Sequence, residues 1–228
     1  MCGRFTLTSS DDIVAELFEL AGPIDLSPRY NIAPTQDVAI VRNGGAPDEP
    51  TAPCLSRVRW GLIPFWAKDP AIGNRLINAR AETVAEKPSF RAALRKRRCL
   101  VIADGFYEWK KSGGAKIPHL IRMRGGAPFG FAGLWESWKD PGGEVVESCT
   151  IITTTPNQLM SGIHNRMPVI LPPELRARWL DPAPLGADAA GTLAEVLGPL
   201  PDGQLEAVAV STHVNSPRND DPRCVEPA

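Results

Sequence analysis

The sequence predicts an α+β fold: one domain over residues 1–228, with a mostly antiparallel, barrel-like β core and flanking helices. Three observations point there. Glycine (20 residues) and proline (23 residues) are too frequent for a helical bundle. Short apolar runs recur through the middle of the chain, punctuated by Asp104-Gly105, Ser112-Gly113-Gly114, Gly125-Gly126 and Pro141-Gly142-Gly143. Hydrophobic residues make up 43% of the chain, enough to bury a core, and neither an internal repeat nor a linker divides it.

The elements follow in order. Ser10-Asp11-Asp12 ahead of Ile13, Val14, Leu17, Phe18 and Leu20 predicts a capped amphipathic helix, ended by Gly22-Pro23. Strands are expected at Val38–Val41 and Val58–Gly61, with a loop over Asn43–Pro53 between them. Ser89–Arg98 reads as a helix with Phe90, Ala93 and Leu94 on one face. Its Arg91, Arg95, Lys96, Arg97 and Arg98 form a basic side and end, read first as solvated cations favourable at the helix C-terminus. Strands are then expected at Cys99–Ala103, Phe106–Lys110, Pro118–Met123, Phe129–Trp135 and Val145–Thr154. Thr155-Pro156-Asn157-Gln158 announces a short helix ending near Gly162. A strand at Met167–Leu171, helices at Pro173–Leu180 and near Ala189–Leu197, and a last strand at Leu205–Val210 precede a polar, proline-rich tail.

Charge narrows the function. With 25 Lys and Arg against 26 Asp and Glu, the net charge of −1 excludes a globally basic binder but not a local basic face. No apolar run reaches the roughly 18–20 residues that span a bilayer. Met1-Cys2-Gly3-Arg4-Phe5 is not a signal peptide, so no membrane partner and a cytoplasmic location are expected, at the nucleoid or, in a eukaryote, in the nucleus. The five cysteines are odd in number and widely spaced, and there are three histidines. A disulfide framework is therefore not expected, nor a metal or cofactor.

Five features carry chemistry. Cys2 follows the initiator. If Met1 is removed, one residue bears both an α-amine and a thiol, with unperturbed pKa values of about 7.7–8.0 and about 8.5. Such a 1,2-aminothiol condenses with an aldehyde to an imine, and the sulfur closes it to a thiazolidine. By position alone, an incidental cysteine competes with this reading. In Phe106-Tyr107-Glu108-Trp109-Lys110, strand alternation puts Glu108 on the Phe106 face, where a desolvated carboxylate suits proton transfer. A surface glutamate paired with lysine is the alternative. His164 sits in a loop between a helix end and a strand, as a site histidine or an ordinary loop one. Asn78 and Arg80, two apart, face one way if extended and suit a phosphate-bearing ligand, or form an ordinary polar loop. Phe65 and Trp66 could stack on exposed bases, or Trp60 and Phe65 belong to the core, the reading taken for Trp60.

Taken in order, Met1-Cys2-Gly3-Arg4-Phe5, Arg29-Tyr30-Asn31-Ile32-Ala33-Pro34, Trp60-Gly61-Leu62-Ile63-Pro64, Ile77-Asn78-Ala79-Arg80-Ala81-Glu82-Thr83, Asp104-Gly105-Phe106-Tyr107-Glu108-Trp109, His164-Asn165-Arg166-Met167-Pro168 and the tail Val214-Asn215-Ser216-Pro217-Arg218-Asn219-Asp220 resemble the SOS response-associated peptidase (SRAP) family. The resemblance covers essentially the whole chain. It implies a single SRAP domain, acting as a monomer, that traps abasic sites in single-stranded DNA in a covalent crosslink. It implies Cys2 as nucleophile after self-removal of Met1, Asn78 polarising the reacting centre, Glu108 as general acid/base and His164 assisting sugar ring opening. It implies phosphate contacts by Arg4 and Arg80, a strand-kinking region at Pro34 and Trp66, and Asn31 and Thr153 lining the site. Where some members carry a second tryptophan, this chain has Ala67. Three rivals stand beside it. One is an N-terminal-nucleophile glutamine amidotransferase, for which no matching glutamine site is seen. The others are a non-covalent single-strand binding module and a peptidase acting on other proteins.

Overall fold

The computed structural model describes residues 2–20, 24–44, 52–183, 193 and 195–228. Along the chain lie β1 (Phe5–Leu7), α1 (Asp11–Leu17), β2 (Arg29–Ile32), β3 (Asp37–Asn43), β4 (Pro53–Trp60), a 3-10 turn (Pro70–Arg75) and β5 (Asn78–Arg80). Then come α2 (Arg91–Lys96), β6 (Arg98–Ala103), β7 (Gly105–Ser112), β8 (Ala115–Met123), β9 (Phe129–Lys139) and β10 (Val145–Thr154). The chain continues through α3 (Gln158–Ser161), β11 (Met167–Pro168), β12 (Ile170–Leu171), α4 (Pro173–Leu180), β13 (Leu205–Ala209) and 3-10 turns at Thr212–Asn215 and Pro222–Cys224. The expected helix near Ala189–Leu197 falls largely outside the described residues, as does Gly22-Pro23.

Strands β10, β4, β3, β6 and β9 hydrogen-bond in that order, and β9 pairs back onto β10, which closes a five-stranded barrel. Closure removes the exposed edges of an open sheet. Every pairing in the ring is antiparallel except β10–β4. The second sheet runs β13-β8-β7-β1-β2. An aromatic core joins the two. Phe5 of β1 lies 5.1 Å from Trp60 of β4 and 5.9 Å edge-on to Phe131 of β9, and Phe106 of β7 lies 5.9 Å from the same ring. Each such fully buried aromatic contributes about 1.5–3 kcal/mol, with about 0.5–1.5 kcal/mol more per well-oriented ring pair. This packing fixes β1 and β7, and with them residue 2 and Glu108, against the barrel.

Strands β4 and β5 occupy successive stretches of one edge of β10, Arg59 and Trp60 beside Ser148 and Cys149, then Asn78–Arg80 beside Ile151–Thr153. Between them the chain leaves the edge at Gly61, whose φ of 128° is closed to side-chain-bearing residues. A Cβ there would stand 2.7 Å from the Gly73 carbonyl oxygen, and one on Gly73 would stand 2.5 Å from that of Gly61. The glycine pair lets the intervening loop cross itself and return Asn78 to the edge.

Several expectations are corrected in detail. Helix α1 ends before Gly22 because Glu19 adopts φ 51°, and Leu20 and Glu19 donate their N–H groups to the Ala15 and Glu16 carbonyls at 3.0 and 3.3 Å. That is a Schellman stop with glutamate where glycine fits best. We expect Glu19→Gly to raise stability by roughly 1 kcal/mol, the cost of a left-handed non-glycine residue, read as a shifted urea midpoint at unchanged m-value. Arg98 is not a solvated helix cation. It opens β6, is 5% exposed, and donates to the carbonyls of Leu94 and Arg95 at 2.9 Å and Trp179 at 2.8 Å. Met167–Leu171 is split, because β11 pairs with β10 and β12 with β9 while Val169 bridges both. Among the described residues no helix is long and apolar enough to cross a membrane.

Candidate functional site

Strands β1 and β7 pair antiparallel, Phe5 with Phe106 and Thr6 with Gly105, and the Tyr107 N–H donates to the Arg4 carbonyl at 2.9 Å. That register places the residues preceding β1 alongside Glu108. Cys2 has no exposed surface. Burial, and then the negative charge of Glu108, push its thiol pKa far up, so the sulfur is held protonated. From the other side, Asn78 Nδ2 donates to the Cys2 carbonyl at 2.9 Å. Its Oδ1 is buried and accepts no hydrogen bond among the described residues. The β pleat explains the aim of β5: Ala79 is buried in the barrel, Asn78 turns to Cys2, and Arg80 is exposed.

Glu108 is 5% exposed and opens onto a cleft of about 490 Å³ whose walls also carry His164, Trp109, Lys111, Lys116 and Asn215. The loop bearing His164 is set by α3, where Asn157 Oδ1 caps the Met160 N–H at 3.0 Å and the His164 N–H returns to the Met160 carbonyl at 2.8 Å. His164 Nδ1 lies 3.0 Å from the Arg166 N–H and 3.2 Å from the Arg166 carbonyl, which ties the ring to its own loop.

Asn78, Cys2 and Glu108 are thus brought together from three separate stretches of chain, and Glu108 shares its cleft with His164, whereas Cys2 and Asn78 do not line that cleft. The other expected residues divide. Arg80 is exposed on β5, two residues from Asn78, opposite Thr153 of β10. Thr153 is fully buried, and its carbonyl accepts from Arg166 Nη2 at 2.6 Å. Arg166 also holds Glu82 through two contacts of 2.5 and 2.9 Å, whose hydrogen bonds depress the Glu82 pKa. Arg4 is half-buried, with its guanidinium carbon 5.9 Å from the Trp109 ring. Asn31 has no exposed surface. Pro34 and Trp66 do not line this cleft. Pro34 enters a turn closed by the Gln36 N–H on the Ala33 carbonyl at 3.3 Å, and Trp66, 46% exposed beside an exposed Phe65, borders a separate hollow with Lys68 and Arg75.

Sequence reasoning passed over Lys111 and Lys116. They stand directly opposite each other across the β7–β8 hairpin. Like charges facing across a ladder are unfavourable without an anion between them, and that spacing around Ser112-Gly113-Gly114 was the available signal. Away from the cleft, His213, Asp221 and Cys224 converge within 4.8 Å of one another, but the Asp221 carboxylate already carries Arg223 at 2.9 Å and His213 at 3.0 Å, closing the C-terminal turn.

A closed barrel with a buried residue-2 thiol between an amide and a carboxylate defines a class. The profile described as SOS response associated peptidase (SRAP) matches residues 1–217, and the chain belongs to that family. Among its relatives, abasic site processing protein YoqW of Bacillus subtilis (strain 168) is 46% identical over 99% of each chain. Abasic site processing protein HMCES of Gallus gallus is 37% identical over 76% of this chain and 57% of its own length. A crystal structure of a protein from Bacteroides thetaiotaomicron superposes with a TM-score of 0.86 at 30% identity, covering 100% of both chains.

Proposed function

We propose that this protein processes abasic sites in single-stranded DNA by capturing them covalently on Cys2. The carrying observation is the convergence on residue 2: Asn78 on its carbonyl, Glu108 acting on its thiol, and an open cleft shared by Glu108 and His164. The two relatives named abasic site processing proteins support the substrate.

The chemistry starts once Met1 is removed, a step in which Glu108 also serves, and the Cys2 nitrogen is an amine. His164 helps to open the abasic sugar to its aldehyde by moving a proton between the ring hydroxyl and ring oxygen. The amine adds to the aldehyde carbon, and the carbinolamine loses water to give an imine. The thiol then adds to the imine carbon, forming the C–S bond, and its proton is delivered to the nitrogen through Glu108. The product is a thiazolidine, with one water lost overall. An imine left open is an electron sink that invites β-elimination of the 3′ phosphate. Ring closure removes that sink and protects the strand. Asn78 holds the residue-2 backbone, and Arg4, Arg80, Lys111 and Lys116 attract the phosphates. Outside the cleft, exposed Trp66 offers the stacking surface that kinks the strand, with Pro34 part of that kinking region. The protein acts as a monomer in the cytoplasm or at the DNA, with neither a metal nor an organic cofactor.

Intact-mass analysis after incubation with an abasic single-stranded oligonucleotide tests this directly. The expected species has lost one methionine residue, and its adduct weighs the sum of that protein and the oligonucleotide minus one water. Retention of Met1 under every condition, or undiminished capture after the amine is blocked, overturns the proposal.

A further inference from the structure

Among the described residues Arg4 is a half-buried cation without a counter-charge. Burial depresses its pKa, and among the described residues it forms no ion pair with a carboxylate. What holds it is neutral. Its Nη1 donates to Asn31 Oδ1 at 2.9 Å and to the Val214 carbonyl at 3.1 Å. The Trp109 ring lies under the guanidinium, and the indole Nε1 donates to Asn215 Oδ1 at 2.8 Å. Two of these supports, the Val214 carbonyl and the Asn215 amide, belong to the segment Val214–Asp220.

That segment is itself pinned by Asn31. The two hydrogens of Asn31 Nδ2 are shared among the carbonyls of Val214, Ser216 and Asn219 at 3.2, 3.0 and 2.7 Å, and its backbone N–H donates to the Asp220 carboxylate at 2.9 Å. With no exposed surface, Asn31 has no face to offer a ligand and acts through Arg4. A carboxylate at position 31 would have neutralised the guanidinium. A carboxamide orients it and leaves the charge unspent.

We propose that Asn31 and Asn215 are positioning residues: the segment Val214–Asp220 clamps Arg4 and Trp109 into a preformed phosphate seat on the cleft rim, with Arg4 Nε and Nη2 as the donors to one phosphate of the single strand. This rests on the DNA-binding reading above and adds the device that prepares one contact. A guanidinium already fixed loses less rotamer freedom on binding, and a partly desolvated cation without a carboxylate attracts an anion more strongly than a solvated one.

The test uses an undamaged single-stranded oligonucleotide, so it does not depend on Cys2 chemistry. Affinity is read by fluorescence anisotropy across a salt series. Asn215 is exposed, so Asn215→Ala leaves the core untouched. We expect Asn215→Ala to weaken binding about 3- to 10-fold, the cost of re-ordering one loosened side chain, with an unchanged salt slope because the contact still forms when bound. Arg4→Ala should flatten the slope by about 0.7, the signature of one lost phosphate contact on a single strand. In the Arg4→Ala background, Asn215→Ala should be silent, whereas a merely structural role would weaken both backgrounds equally. Unchanged affinity in Asn215→Ala, or equal losses in both backgrounds, overturns the clamp. Salt-insensitive or absent binding by the unaltered protein overturns the DNA-binding reading itself, and that result is visible before any variant is made.

Discussion

Replacing Cys2 with serine is expected to reduce the denaturant-stable DNA adduct to background while leaving the initial imine in place. Serine is small, so Met1 removal is still favoured and the α-amine is still produced. The amine alone forms the imine. What disappears is the second nucleophile, because a hydroxyl adds to an imine carbon far less readily than a thiol and leaves an easily reopened ring. The variant should therefore act as a weak lyase, with more strand cleavage 3′ to the lesion and an adduct stable only after borohydride reduction. Because the Cys2 side chain is fully buried and serine replaces sulfur with a polar oxygen there, the fold is checked separately by thermal unfolding. A folded Cys2→Ser protein that yields as much heat-stable adduct as the unaltered chain would falsify the thiazolidine step.

Local pattern and distant packing contributed differently to what the sequence revealed. Glu108 was legible because the alternation in Phe106-Tyr107-Glu108 is local: Phe106 belongs to the aromatic core and Glu108 follows it on the same face. The other face of β7 was not legible. Tyr107 is equally buried, because Val210, Val214 and Cys224, about a hundred residues further along, pack on it. Strands β1, β2 and β5 are three or four residues long, too short for a periodic signal, and take their extended form from the neighbours they pair with. The parallel pairing of β5 with β10, which delivers Asn78, depends on a crossing of Gly61 and Gly73 that leaves no trace in hydrophobic pattern. Arg98 misled for a related reason. A run of basic residues reads as solvent-facing, yet this guanidinium gathers carbonyls from the ends of α2 and α4, two helix C-termini that only tertiary packing brings together. Asn31 carried no local sign that its carboxamide holds the chain's own tail.

Glu108→Gln provides the strongest test of the acid/base assignment, because two measurements should move in opposite directions. Glutamine keeps the shape and removes the charge at a position 5% exposed, and thermal unfolding checks separately that the fold is kept. The Glu108 charge raises the pKa of the Cys2 thiol. Removing it lowers that pKa, so at any fixed pH the thiolate fraction rises and alkylation of Cys2 should accelerate. Stable capture of abasic DNA should nevertheless slow by about 10²- to 10⁴-fold, the usual contribution of a positioned proton carrier. If Glu108 acted only as a nearby charge on the sulfur, its loss would speed both processes. If it acted only as a structural anchor, thermal unfolding would shift and alkylation would follow the increased exposure. A slower capture with faster alkylation at unchanged stability is the combination that proton transfer requires, and capture at the unaltered rate would remove Glu108 from the mechanism.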